Sequence, residues 1–180
     1  MNYSIAISFI IGGMLLIALM AWNARVNQHS GMVTMNQITK QRIEAIGQIL
    51  DSDMRNIGQG VASNQISVAD SNRITFSFFN INNEFQSITW HYDHATEIPE
   101  TFNPNDRMLT RTVNGVTTEI RFGVVQFRLT YLDSVGVSTA NIPSIRQIRA
   151  EVLVESEAPY GNEYSRSYWE TIVTPRTLQF

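Results

Sequence analysis

Hydrophobic positions fall into three regimes along this chain. From Tyr3 to Trp22 the run YSIAISFIIGGMLLIALMAW is apolar or small throughout and carries no charge. About twenty such residues in a helix cover roughly 30 Å, one bilayer hydrocarbon core. Further on, Met35, Ile38, Ile46, Leu50, Met54 and Ile57 recur at helical spacing, with Ile43 and Ile49 widening the stripe. Asn36, Gln37, Lys40, Gln41, Glu44 and Asp51 occupy the other side. No proline precedes Pro99, so the spacing predicts one helix from about residue 3 to 57, roughly 80 Å long. Gly31 and Gly47 are its weak spots, each costing about 1 kcal/mol relative to alanine, and Gly58-Gln59-Gly60 ends it.

After a polar loop, Val61 to Asn72, the period drops to two. Arg73 to Phe79 alternates Ile74, Phe76 and Phe78 on one face, and Glu84 to Tyr92 reads as its hairpin partner across an Asn80–Asn83 turn. A long connection, Asp93 to Asp106, carries Pro99 and Pro104. Met108 to Val113 and Val116 to Phe122 flank Asn114-Gly115, a strong hairpin signal. Val125 to Tyr131, Ile145 to Glu155 and Tyr164 to Val173 complete about seven strands, antiparallel by the shortness of their loops. The expected class is α+β: a long N-terminal helix, membrane-spanning in its first half and amphipathic in its second, packed on an antiparallel β domain. The expected divisions are 1–24 (transmembrane and assembly helix), 25–58 (amphipathic continuation) and 59–180 (β-rich domain).

Charge sharpens this picture. All 13 Lys and Arg and all 16 Asp and Glu follow residue 24, beginning at Arg25. Tyr3 and Trp22 bracket the uncharged run, where amphipathic rings anchor at the two membrane interfaces. A secretory signal peptide needs a basic start and a small-residue cleavage site; neither is present, so the run reads as a retained single membrane span. Ser4, Ser8 and Gly12 recur every four residues and share one face on which a second helix can pack closely. Asn23 to Met32, too polar for the membrane and too far from the domain, suits a place beside copies or homologues of itself.

Composition removes several classes of function. A net charge of −3 argues against nucleic acid as the main partner, since phosphate binding needs a basic surface. No cysteine is present, which excludes disulfides, thiolate metal sites and a cysteine nucleophile. No GxSxG, HExxH, Walker A or GxGxxG pattern occurs, so an enzyme is not expected, and no cofactor is expected. His91, Asp93 and His94 have the chemistry of zinc ligands, but a strand end beside a loop is where such residues ordinarily sit. Glu97, Glu100 and Asp106 lack EF-hand spacing and read as a solvated loop. Glu151, Glu155 and Glu157 with Arg146 and Arg149 read as a charged strand surface.

In order along the chain, several short motifs resemble the type IV pilin and pseudopilin superfamily, most closely its minor pilins and minor pseudopilins. Leu50-Asp51-Ser52-Asp53-Met54-Arg55-Asn56-Ile57-Gly58 resembles the family's helix end. Ile74-Thr75-Phe76 with Ile88-Thr89-Trp90-His91-Tyr92-Asp93 resembles its first hairpin, and Leu109-Thr110-Arg111 with Asn114-Gly115 the next. Phe127-Arg128-Leu129-Thr130-Tyr131-Leu132-Asp133 with Gly136 resembles its long strand and turn. Pro175-Arg176-Thr177-Leu178 resembles its closing Pro-Arg-Asn-Leu, with Thr177 in place of Asn. The family's basic leader, its processing Gly and the Glu of its apolar segment are not matched, so peptidase processing is not expected. The resemblance implies a structural subunit of a type IV pilus or type II secretion system, with other pilin-like subunits and the membrane as partners. It also implies a bacterial inner-membrane location with the β domain extracytoplasmic. A simple count of Arg25, Lys40 and Arg42 behind the span favours the opposite orientation; the family layout is followed. The competing expectation is a single-pass anchored extracytoplasmic domain that binds a ligand and enters no filament.

Overall fold

The computed structural model describes residues 3–62, 65–121, 123–159 and 163–178. One helix, α1 (Tyr3–Arg55), precedes eight strands among the described residues: β1 (Ile66–Asp70), β2 (Arg73–Phe79), β3 (Phe85–Glu97), β4 (Arg107–Val113), β5 (Val116–Ile120), β6 (Val124–Leu132), β7 (Gln147–Glu155) and β8 (Arg166–Val173). Every pairing is antiparallel and sequential. The first five strands form one meander and the last three another. The α+β architecture expected from the pattern is the one found.

At 53 residues, α1 runs roughly 80 Å. Its covered face is narrow. Thr39, Ile43, Ile46, Leu50, Met54 and Ile57 are buried and share one core with both sheets. Burying each large aliphatic side chain there stabilises the fold by about 1.5–3 kcal/mol. Ile38 and Ile49, expected on this stripe, lie to its sides and stay partly exposed. Thr39 takes the buried position instead, its hydroxyl donating to the Met35 carbonyl at 2.8 Å. That bond lets a polar side chain sit on the apolar line without an unsatisfied group.

The helix lies chiefly across β7 and β8. Gly47, expected only as a weak point, is where it comes closest: a β-carbon there would lie 2.5 Å from Cε2 of Trp169 on β8. Glycine lets the indole ring lie flat against the helix backbone. The helix ends on tightening turns, Asn56 and Ile57 donating to the Asp53 and Met54 carbonyls. Gly58 then adopts φ +73°, a left-handed conformation that suits glycine. Its N–H donates to Ser77 of β2 at 3.0 Å, and Thr177 caps the Ile57 carbonyl at 2.5 Å.

The β-rich part departs from expectation in three places. The polar stretch after the helix contains β1, an edge strand with only Ile66 fully buried. Strand β3 continues past Tyr92 to Glu97, through an irregularity in its register with β4. The last strand begins at Arg166 rather than Tyr164. The Asn114-Gly115 hairpin forms as expected, both residues at positive φ, and the Asn114 side-chain oxygen accepts the Ser87 N–H at 2.8 Å. The two meanders are stitched at the β1–β2 turn, where Leu129 N–H donates to Ser71 O at 2.7 Å and the Tyr131 hydroxyl donates to Asp70 O at 2.9 Å.

Because a β-carbon at Gly47 would press into the Trp169 ring, Gly47→Ala destabilises the full-length protein in detergent by about 1–3 kcal/mol despite alanine's better helix propensity. In a Trp169→Ala background the same change becomes neutral or stabilising by up to about 1 kcal/mol. Urea unfolding of the four proteins measures this as a double-mutant cycle.

Candidate functional site

The largest exposed feature among the described residues is the upper part of α1. Every side chain described from Ala6 to Ser30 is exposed. Among them Phe9 is 85% and Trp22 70% exposed, and Tyr3 at the start of the helix is 71% exposed, which is unusual for such large apolar rings. One helix in the described chain is long and apolar enough to cross a membrane, and none of its most apolar window is buried. The structure thus presents a single long apolar N-terminal helix compatible with a membrane anchor.

Within it, Ser8 and Gly12 lie on one side, and a β-carbon at Gly12 would meet nothing within 4 Å. Ser4 belongs to the helix, but its side chain lies outside the described part. Between Trp22 and the domain, Val26, Met32 and Val33 remain 40–51% exposed. These apolar side chains continue the upper surface into the polar stretch, which sequence reading treated as simply hydrophilic.

Two polar clusters fix the helix and one loop to the sheets. The first is a clasp at Asp53. This carboxylate is nearly buried and accepts three hydrogen bonds: from the Trp90 indole N–H at 2.9 Å, and from Arg111 Nε at 2.6 Å and Nη2 at 2.8 Å. The two-pronged arginine contact is the strong geometry for a carboxylate. It joins the last turns of α1 to the centres of β3 and β4, and the Asp53 carboxylate raises the Arg111 pKa. Sequence reading quoted Asp53, Trp90 and Arg111 within separate motifs and did not connect them.

The second cluster centres on Glu155, at the end of β7. It was expected on a charged surface; it is buried instead. Asn103 and Asn105 donate to its Oε2 at 2.9 and 3.1 Å, and Arg166 Nε to its Oε1 at 2.7 Å. Burial opposes the charge, but these donors outweigh it and hold the carboxyl below its usual pKa. Nearby Arg42 of α1 pairs with Glu157 at 2.5 Å. Asp106 is fully buried in the same region.

The candidate metal ligands are not brought together. Among the described residues, no three His, Asp or Glu side chains converge as a metal site. Asp93 accepts hydrogen bonds from Thr96 Oγ1 at 2.6 Å and the Ala95 N–H at 3.0 Å, which lower its pKa and shape the irregular end of β3. His94 is exposed, its carbonyl accepting Arg107 Nε. Glu97 faces Arg107 at 3.7 Å, Glu100 pairs with Arg121, and Asp106 is buried away from both. No protein-family profile, curated protein or solved structure matches this chain at a significant level.

Breaking the clasp leaves a charge buried and unpaired, so Arg111→Ala costs about 3–5 kcal/mol. Asp53→Ala, which strands the Trp90 N–H and the Arg111 guanidinium, falls in the same range. Equilibrium unfolding followed by intrinsic tryptophan fluorescence checks both, and the double variant should cost clearly less than the two single changes added together.

Proposed function

We propose that this protein is a membrane-anchored structural subunit that works by helix-mediated assembly, as a minor pilin-like or pseudopilin-like component of a type IV pilus or type II secretion system. The observation that supports this reading is the division of α1. Its lower part is clamped to the sheets over residues 39–57, while its upper part has no cover from its own chain. The apolar run holds the protein in a bilayer as a stored pool. In an assembly the same surface packs among other helices, with Ser4, Ser8 and Gly12 as the close-approach face. The exposed Val26, Met32 and Val33 extend that contact beyond the membrane. The clasp at Asp53 makes helix and β domain one rigid lever, so a shift at the helix is passed to the domain.

The orientation proposed is amino end cytoplasmic and β domain outside the bacterial inner membrane. The partners proposed are other pilin-like subunits. The ordered motifs from Leu50 to Leu178 support this, and several have a physical role here: Asp53 and Arg111 form the clasp, Asn114-Gly115 a hairpin turn, and Thr177 the cap of the helix end.

Bulk on the packing face should weaken assembly without unfolding the domain. Gly12→Leu is expected to lower co-purification of partner subunits from native membranes at least several-fold, with unchanged circular dichroism. Retention of the full set of partners would count against helix-mediated assembly and favour an anchored binding domain. A C-terminal reporter active only in the cytoplasm would reverse the orientation.

A further inference from the structure

The segment from Ile98 to Asp106, between β3 and β4, closes over the end of β7 and ends on a carboxylate in an unusual state. Asp106 is completely buried, and among the described residues neither of its carboxylate oxygens meets a donor in hydrogen-bond geometry; the Thr101 hydroxyl is the one donor close enough to favour the anion. Thr101 lies near, but its hydroxyl is engaged by the carbonyls of Ile98 at 3.2 Å and Asn103 at 3.3 Å. A buried carboxylate so poorly supplied with donors is costly as an anion and far less so as a neutral acid.

Its neighbours add to that pressure. Glu155 and Glu157 face it from β7 and the residues that follow, and both disfavour a further negative charge; Arg42 of α1 opposes them. Arg42 is already paired with Glu157, and Arg166 of β8 with Glu155. Tyr92 of β3 and Arg107 of β4 complete the surroundings; Arg107 donates to the Asp106 and Pro104 carbonyls rather than to the carboxylate. His94 stands with them on an open groove beside the cluster. Every strong donor near Asp106 is therefore committed elsewhere.

The segment itself is fastened by a few side-chain hydrogen bonds and one buried apolar residue. Asn103 and Asn105 hold Glu155, Asn103 also reaches the Ser156 carbonyl at 3.1 Å, and Ile98 is buried. With no strand pairing of its own between Glu97 and Arg107, it is the part that moves most cheaply when Asp106 ionises, and movement gives the carboxylate water.

We propose that residues 98–106 form a proton-operated strap, closed over the end of β7 when Asp106 carries a proton and opened when the proton leaves. The strap sits where α1 emerges from the domain, beside the Arg42–Glu157 pair and the Asn36–Ser165 contact. Opening therefore loosens the corner from which the free helix projects. The inference stands on the β domain alone and is independent of the assembly reading.

The sign follows from linkage. Burial first, then the two glutamates, push the Asp106 carboxyl up to about 6, against the opposing influence of Thr101 and Arg42. A raised carboxyl pKa in the closed state gives stability that is complete below about pH 4 and lost as the pH rises through about 6. Across that window the opening constant of the strap rises on the order of a hundredfold.

Hydrogen exchange of the full-length protein in detergent from pH 4 to 8, corrected for the intrinsic pH dependence of exchange, reads this directly. The expected result is loss of protection confined to residues 98–107, with a midpoint near pH 6. In Asp106→Asn the protection should stay high and flat across the range. Glu157→Gln, which leaves Asp106 in place, keeps the transition but moves its midpoint to lower pH, and guards against misfolding of the first variant. Flat protection in the wild-type protein overturns the proposal. So does a transition that persists in Asp106→Asn, which would assign it to another group such as His94. Protection restored at pH 7.5 by calcium in the wild type but not in Asp106→Asn also overturns it, by making Asp106 a cation ligand.

Discussion

A helix of roughly 80 Å cannot be covered by a β domain of this size, and the rest of the structure follows from that mismatch. The domain covers a narrow stripe that runs from Thr39 over the last third of α1 to Ile57 just past its end. Upstream, the chain supplies nothing to pack against residues whose apolar surface is large. Water is a poor solvent for that surface, so its stability depends on a bilayer or on other helices. In the function proposed above, anchor and assembly surface are the same residues seen in two surroundings.

The covered part of the helix is held by more than apolar contact. Apolar burial along the stripe supplies most of the attraction, but it is directionless. The Asp53 carboxylate adds direction, engaging Trp90 and Arg111 from two neighbouring strands at once. Gly47 lets Trp169 seat against the helix from the other sheet. Thr177 closes the helix end with a residue near the far end of the chain. The helix is thus tied to both meanders and to the closing segment.

Much of this was legible in the sequence because the signals were local. An uncharged run of bilayer length, a 3.6-residue stripe and an Asn-Gly hairpin each declare themselves within a few residues. Strand β1 did not: Ile66-Ser67-Val68-Ala69-Asp70 buries only Ile66 fully, so the apolar alternation that marks a strand is nearly absent. Ile38 and Thr39 exchanged roles because a threonine that bonds its own helix carbonyl buries as readily as an apolar residue. The clasp and the Glu155 cluster were out of reach for a different reason. Asp53 and Arg111 are 58 positions apart, and Asn103 and Glu155 are 52. No periodicity links such residues. A glutamate read as part of a charged surface becomes a buried anchor only once a distant loop folds over it. The candidate metal ligands show the reverse: His91, Asp93 and His94 are neighbours in sequence but do not converge, and Asp93 is engaged by Thr96 and Ala95 instead.

The central claim is that the upper part of α1 lies in the membrane against another helix. The absence of cysteine makes a direct measurement simple, because one introduced thiol is the only one present. Single cysteines at Ser8, Leu16 and Ser30 can be probed in native membranes with a water-soluble maleimide and then with a bifunctional cross-linker. The account predicts that the thiols at Ser8 and Leu16 are shielded from the maleimide, that the one at Ser30 reacts, and that the one at Ser8 cross-links to another membrane subunit. Equal labelling at all three positions, with the protein recovered in the soluble fraction, would contradict it.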